Sequence, residues 1–152
     1  MDLILFRHCE AEPGEPDLGR TLTPKGQKQA ERMATWLEHH LPDTTRILVS
    51  PAERTQQTAQ ALNRKFRVVP DLAPGADHLA VLRVANWPDS REPVVIVGHQ
   101  PTLGMVASYL LCGEALGWSL RKGAVWWLSN RARESGASVV LKAVISPDFV
   151  SG

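Results

Sequence analysis

A three-layer α/β fold with a mostly parallel central sheet is the architecture that three features of the 152-residue sequence predict. Short apolar runs end at Arg7-His8, at Ser50-Pro51 and at Gly98-His99. Segments with helical periodicity stand between those runs. The runs are apolar throughout, with no in–out alternation, as strands covered on both faces are.

Each element has its own signal. Asp2-Leu3-Ile4-Leu5-Phe6 is too short for a helix and reads as a buried strand. Residues 9–23 carry Pro13, Gly14, Pro16 and Gly19, which mark a loop holding Glu10, Glu12, Glu15 and Asp17. Thr23-Pro24 is an N-cap followed by proline at the first helical position. Behind it Ala30, Met33, Ala34, Leu37 and Leu41 form one helical face, which Pro42 stops. Ile47-Leu48-Val49 is a second strand, and a helix follows from near Arg54 to about Lys65. Val68-Val69 predicts a short third strand, residues 70–76 a loop, and Asp77 to Ala85 a helix. Val94-Val95-Ile96-Val97 is the strongest strand signal. The helix after Gln100-Pro101 buries Leu103, Val106, Ala107, Leu110 and Leu111. Strands near 123–129 and 137–145, joined by a turn over Asn130–Gly136, complete the sheet as an antiparallel edge. Trp126 and Trp127 are adjacent in a strand and so face opposite sides of it.

Composition narrows the class. Seventeen basic and sixteen acidic side chains leave a net charge of +1, without the basic excess of a nucleic-acid-binding protein. No apolar run approaches the roughly 18 residues of a membrane helix, and Asp2 stands where an export signal carries positive charge. These features predict a cytoplasmic protein that binds neither nucleic acid nor membrane, with residues 1–152 forming one domain, as a monomer or weak dimer. Cys9 and Cys112 make neither a disulfide framework nor a metal cluster.

Ligands of open α/β sheets collect at the carboxyl ends of the strands. Arg7, His8, Ser50, Arg54 and His99 meet there if their strands are parallel neighbours. Two arginines and two histidines suit a phosphoryl group. Guanidinium forks match its oxygens, and a neutral imidazole is a nucleophile toward phosphorus. Helix N-termini after Ser50 and Gln100 add backbone donors. A metal site is disfavoured because guanidinium groups repel a cation and a third ligand is missing. Walker, CxxC, HExxH and GxSxG patterns do not occur in the sequence.

Three blocks carry a family resemblance. Leu5-Phe6-Arg7-His8-Cys9-Glu10-Ala11 resembles the Arg-His-Gly signature of the histidine phosphatase superfamily, with its phosphoglycerate mutase-like fold. Val49-Ser50-Pro51-Ala52-Glu53-Arg54-Thr55-Gln56-Gln57-Thr58-Ala59 is similar to that family's second arginine motif, and Val97-Gly98-His99-Gln100-Pro101 to its second histidine motif. The resemblance implies that His8 is the covalent nucleophile and that Arg7 and Arg54 bind the phosphoryl oxygens. It implies that His99 is a charged donor and that no cofactor takes part; Ser50 is expected to turn the chain into the helix and to reach the anion. Within the superfamily the chain resembles the SixA-type phosphohistidine phosphatases. Its shortness, Leu22-Thr23-Pro24-Lys25-Gly26 and Asp71-Leu72-Ala73-Pro74-Gly75-Ala76-Asp77 carry that likeness. Ala73-Pro74 stands where larger relatives keep a general-acid glutamate. Asp77 and Glu10 are the candidate proton donors.

The expected reaction is removal of phosphate from a histidine-phosphorylated signalling or phosphotransfer protein, with inorganic phosphate as product. The alternatives are a small-molecule phosphomonoesterase of the same fold and a non-enzymatic phospho-ligand module. Cys9 replaces the family's usual glycine. It is expected to be a small packed residue, with a reactive, low-pKa thiol as the alternative. His39, His40 and His78 are expected in solvent, Gln100 as a helix cap, and the acids of 10–17 as a solvated rim.

Overall fold

The structure, a computed structural model, describes residues 1–133 and 136–150. Its strands are β1 (Asp2–Arg7), β2 (Arg46–Val49), β3 (Arg67–Val68), β4 (Val94–Gly98), β5 (Val125–Arg133) and β6 (Gly136–Ile145). The helices are α1 (Pro24–Glu38), α2 (Glu53–Gln60), α3 (His78–Val84) and α4 (Thr102–Cys112). The strands form one sheet in the order β3-β2-β4-β1-β5-β6. Pairings among β1, β2, β3 and β4 are parallel, and those of β5 are antiparallel. The predicted α/β architecture and its antiparallel edge are therefore observed.

Alternation along the central strands builds two cores. Leu3 and Leu5 of β1, with Val94 and Ile96 of β4, pack under Val81 and Leu82 of α3 and Leu103, Val106 and Ala107 of α4. Ile4 and Phe6, with Val95 and Val97, pack under Met33 and Leu37 of α1 and Ala59 of α2. All eight strand residues are fully buried, and each such side chain contributes roughly 1.5–3 kcal/mol of burial. Trp126 joins the first core and Trp127 the second, as adjacent strand positions require.

Local signals explain most boundaries. The Thr23 hydroxyl accepts from the Gly26 amide at 2.9 Å and Pro24 opens α1. Gly26 is needed because a Cβ there would collide with the Glu10 carbonyl. α2 stops at Gln60, short of the predicted Lys65, and the chain turns through Asn63 at φ 54°. The turn expected over Asn130–Gly136 is shorter than predicted. β5 continues to Arg133 and β6 begins at Gly136, while 134–135 lie outside the described residues. Among the described residues no helix is long and apolar enough to cross a membrane.

Register brings the strand ends together. Arg7 pairs with Gly98, and Val49 with Val97. His8, Ser50 and His99, each the next residue along, therefore emerge side by side at one edge of the sheet.

Candidate active site

Arg7 ends β1. Its guanidinium donates from Nη1 to the Leu120 carbonyl at 2.8 Å. The buried Nε has no hydrogen-bond partner among the described residues. The His8 amide donates to the Gly98 carbonyl, and the His8 carbonyl accepts from the Gly123 amide, both at 3.1 Å. Gly123 takes φ 75°, and a Cβ there would lie 2.8 Å from Pro147 and 3.2 Å from the Cys9 sulfur. That position is closed to other residues by both conformation and space.

The His8 ring is 2.7 Å from the Cys9 carbonyl through Nδ1. A carbonyl only accepts, so Nδ1 carries the hydrogen and Nε2 keeps its lone pair. Burial pushes the His8 pKa down to about 4, with Arg54, Arg7 and Arg20 acting in the same direction. The ring is thus neutral near pH 7, the state a nucleophile requires.

His99 caps β4 and its ring centroid lies 5.3 Å from that of His8. Its Nδ1 is 3.4 Å from Arg54 Nη2, and its Nε2 is 2.7 Å from the Ser50 hydroxyl. Arginine can only donate, so Nδ1 is the acceptor and Nε2 donates to Ser50. Burial, then His8 and Arg54, lower His99 to about 3. The resemblance implies a charged donor at this position, whereas the protein groups by themselves hold it neutral. A phosphoryl dianion beside the ring supplies the charge that reverses this.

Arg54 lies on the first turn of α2 with its side chain 5% exposed. Its Nη1 donates to the Asp17 carbonyl at 2.8 Å and its Nη2 lies 3.2 Å from Asp17 Oδ2. Its Nε, like that of Arg7, is buried without a partner among the described residues. Two unsatisfied guanidinium donors and two neutral imidazoles are groups whose chemistry suits a tetrahedral anion.

The structure thus gathers Arg7, His8, Ser50, Arg54 and His99 and adds three residues not singled out from the sequence. Asp17 bridges Arg54 and Arg20, the latter through Oδ1 and Nη1 at 3.2 Å. Arg20 also donates from Nε to the Glu12 carbonyl at 2.8 Å. The buried Thr58 hydroxyl accepts from the Cys9 amide at 3.1 Å and donates to the Arg54 carbonyl at 2.8 Å. It ties the backbone after His8 to the helix that carries Arg54. The acids Glu12, Glu15 and Asp17 are exposed as expected, and Asp17 in addition pairs with the buried Arg54. An Asp three residues ahead of an Arg in a Pro/Gly-rich loop was the available sign for the first pair.

The other candidates stand apart from these groups. Glu10 Oε2 accepts from the Thr23 hydroxyl at 2.8 Å, and Asp77 Oδ1 lies 3.2 Å from His78 Nδ1. Neither carboxylate hydrogen-bonds His8, Arg54 or His99 among the described residues. Gln100 caps α4, accepting from the Gly104 amide at 2.8 Å and donating to the Trp118 carbonyl at 2.7 Å. His78, expected in solvent, packs its ring 5.1 Å from Tyr109. Cys9 is buried with Leu22 and Ala30, and burial pushes its thiol up to about 12, so a low-pKa reactive thiol is not what this position holds. Its backbone is not among the positive-φ residues, so the local conformation does not require the glycine. No cluster of three or more His, Cys, Asp or Glu side chains suited to a metal ion occurs among the described residues.

Comparison with known proteins identifies the family. Residues 3–81 match the model of the histidine phosphatase superfamily, branch 1. The chain is 32% identical over 130 residues to the phosphohistidine phosphatase SixA homolog of Haemophilus influenzae, covering 72% of this chain and 77% of the relative. Over 123 residues it is 28% identical to the phosphohistidine phosphatase SixA of Escherichia coli, covering 75% and 76%. The solved protein histidine phosphatase SixA complexed with tungstate superposes with a TM-score of 0.76 at 25% identity, covering 97% of this chain and 98% of that one. The chain belongs to the histidine phosphatase superfamily, branch 1, among its SixA-type members.

Proposed function

We propose that this protein is a phosphohistidine phosphatase acting on histidine-phosphorylated proteins through a phosphoenzyme on His8. The observation that carries the reading is the bond from His8 Nδ1 to the Cys9 carbonyl, which leaves Nε2 as the free lone pair of a neutral ring.

In the first step Nε2 attacks phosphorus as the P–N bond to the substrate imidazole breaks, and a ring protonated from solvent on its other nitrogen leaves as neutral imidazole. In the second step water attacks the phosphorus of phospho-His8. The P–N bond to Nε2 breaks, inorganic phosphate leaves and the neutral ring is regenerated. Arg7 and Arg54 hold the phosphoryl oxygens through donors that include their unpartnered Nε groups. His99 takes up a proton as the dianion arrives and donates to an oxygen, with Ser50 fixing its far nitrogen. Imidazole is an easier leaving group than an alkoxide. That suits a site in which Glu10 is bonded to Thr23 and Asp77 lies exposed beside His78. The loop beside Arg54 is a short excursion closed by the Ala11–Leu22 bridge, a small cover that supports a side chain on another protein as the substrate. Such a substrate places the enzyme in the cytoplasm, with residues 1–152 working as one domain.

A side-by-side assay of the purified protein on a phosphohistidine protein, a sugar phosphate and a phosphoglycerate tests the proposal. The highest kcat/KM is expected on the phosphohistidine protein. A preference for either ester assigns the protein to small-molecule hydrolysis instead.

A further inference from the structure

The Asp17 carboxylate is a negative group set against Arg54 and Arg20 at the outer side of the site, and the phosphoryl chemistry does not use it. Three contacts fix its place. Oδ2 lies 3.2 Å from Arg54 Nη2, Oδ1 lies 3.2 Å from Arg20 Nη1, and the Asp17 carbonyl accepts from Arg54 Nη1 at 2.8 Å. Arg54 Nη2 is also 3.4 Å from His99 Nδ1. The carboxylate and the His99 imidazole therefore flank a single nitrogen. The Asp17 side chain is 53% exposed and that of Arg54 only 5%, so the carboxylate sits on the outward side of the guanidinium.

The loop holds this arrangement. The Glu12 amide donates to the Thr21 carbonyl at 2.7 Å, and the 3-10 turn Asp17–Gly19 is closed by the Gly19 amide on the Pro16 carbonyl at 3.0 Å. Hydrogen bonds from Arg20 and Arg54 keep the Asp17 carboxyl below its ordinary range, so it remains an anion.

We infer that Asp17 is a specificity-determining residue that selects the leaving group, favouring an N–H-bearing ring and disfavouring one with its own negative charge. The inference rests on the proposed function and names the device by which that site distinguishes phosphohistidine from anionic phosphate esters. In-line displacement puts the leaving group opposite His8, which is 7% exposed, and so on the solvent side, where Asp17 lies 53% exposed against Arg54. A phosphorylated imidazole protonated on its other nitrogen carries an N–H there and leaves as neutral imidazole. A carboxylate that accepts that hydrogen favours the protonated ring, the form from which the P–N bond breaks readily. A carboxylate or second phosphate on the substrate meets like charge in the same place.

The alternative is that Asp17 only orients Arg54, which affects every substrate alike. Asp17→Asn separates the two, because the amide keeps a carbonyl oxygen for Arg54 and loses the charge. The assay compares kcat/KM on phosphoimidazole and on p-nitrophenyl phosphate, together with the Ki of 3-phosphoglycerate as competitor. In the variant, kcat/KM on phosphoimidazole is expected to fall about tenfold relative to that on p-nitrophenyl phosphate, and phosphoglycerate to bind more tightly. A common factor on all three overturns the inference and leaves the proposed function standing. A wild-type enzyme that cleaves p-nitrophenyl phosphate but not phosphoimidazole overturns the proposed function itself.

Discussion

The Nδ1 of His8 lies 2.7 Å from the carbonyl oxygen of Cys9, the residue that follows it. This one contact decides which nitrogen can attack phosphorus. It also gives position 9 a purpose that its side chain does not reveal, since the group that matters there is the backbone carbonyl. Cysteine provides that carbonyl as well as glycine does, while its thiol packs against Leu22 and Ala30.

The contact predicts a spectroscopic state. At pH 7 ring-nitrogen NMR of the free protein should show His8 as the neutral tautomer protonated on Nδ1. Its titration midpoint should lie near 4, well below the ordinary value of 6.5. A midpoint near 6.5, or a proton resting on Nε2, contradicts the assignment of the nucleophile.

Thr58 offers a test of how the two halves of the site are aligned. Its hydroxyl joins the Cys9 amide to the Arg54 carbonyl. Thr58→Val keeps the shape and leaves a buried amide unsatisfied, at a cost of about 1–3 kcal/mol in stability. It should also lower kcat by about tenfold or more, with a smaller change in KM, because His8 and Arg54 lose their common anchor. Thr58→Ser should restore both. Equal kcat in all three proteins contradicts an aligning role.

Acid should destabilise the fold before the carboxylates titrate. His8 and His99 have folded-state pKa values of about 4 and 3 against 6.5 when exposed. Below pH 6.5 the unfolded chain binds protons that the folded chain refuses, so stability falls as pH falls. The loss approaches about 1.4 kcal/mol per pH unit for each histidine and ends once the pH passes below the folded values. Urea melts at pH 7 and pH 5 should show this loss, and His99→Gln should roughly halve it. An unchanged pH dependence in that variant shows that His99 is not the titrating group.

Strand ends were the legible part of this molecule. Arg7, His8, Ser50 and His99 end or follow continuous apolar runs, and parallel neighbours must bring such ends together. Thr23-Pro24 and the Ala30–Leu37 stripe likewise announce α1, because capping and periodicity are local properties. The Asp17–Arg20 pair was not legible in the same way. Its position depends on how a Pro- and Gly-rich loop folds back over α2, and only the folded backbone sets that path. Thr58 read as an ordinary helix residue because its partner, the Cys9 amide, lies 49 positions away in sequence. The early end of α2 and the long β5–β6 ladder follow from tertiary packing and pairing, which override local propensity.

The most direct test of the proposed chemistry is to mix the enzyme with a phosphohistidine protein, quench within a turnover and map the phosphoryl group by peptide mass spectrometry under alkaline conditions. The expected result is an acid-labile phosphoryl group on His8 of the enzyme, with both adduct and turnover lost in a folded His8→Ala variant. Undiminished hydrolysis by that variant would contradict the covalent mechanism.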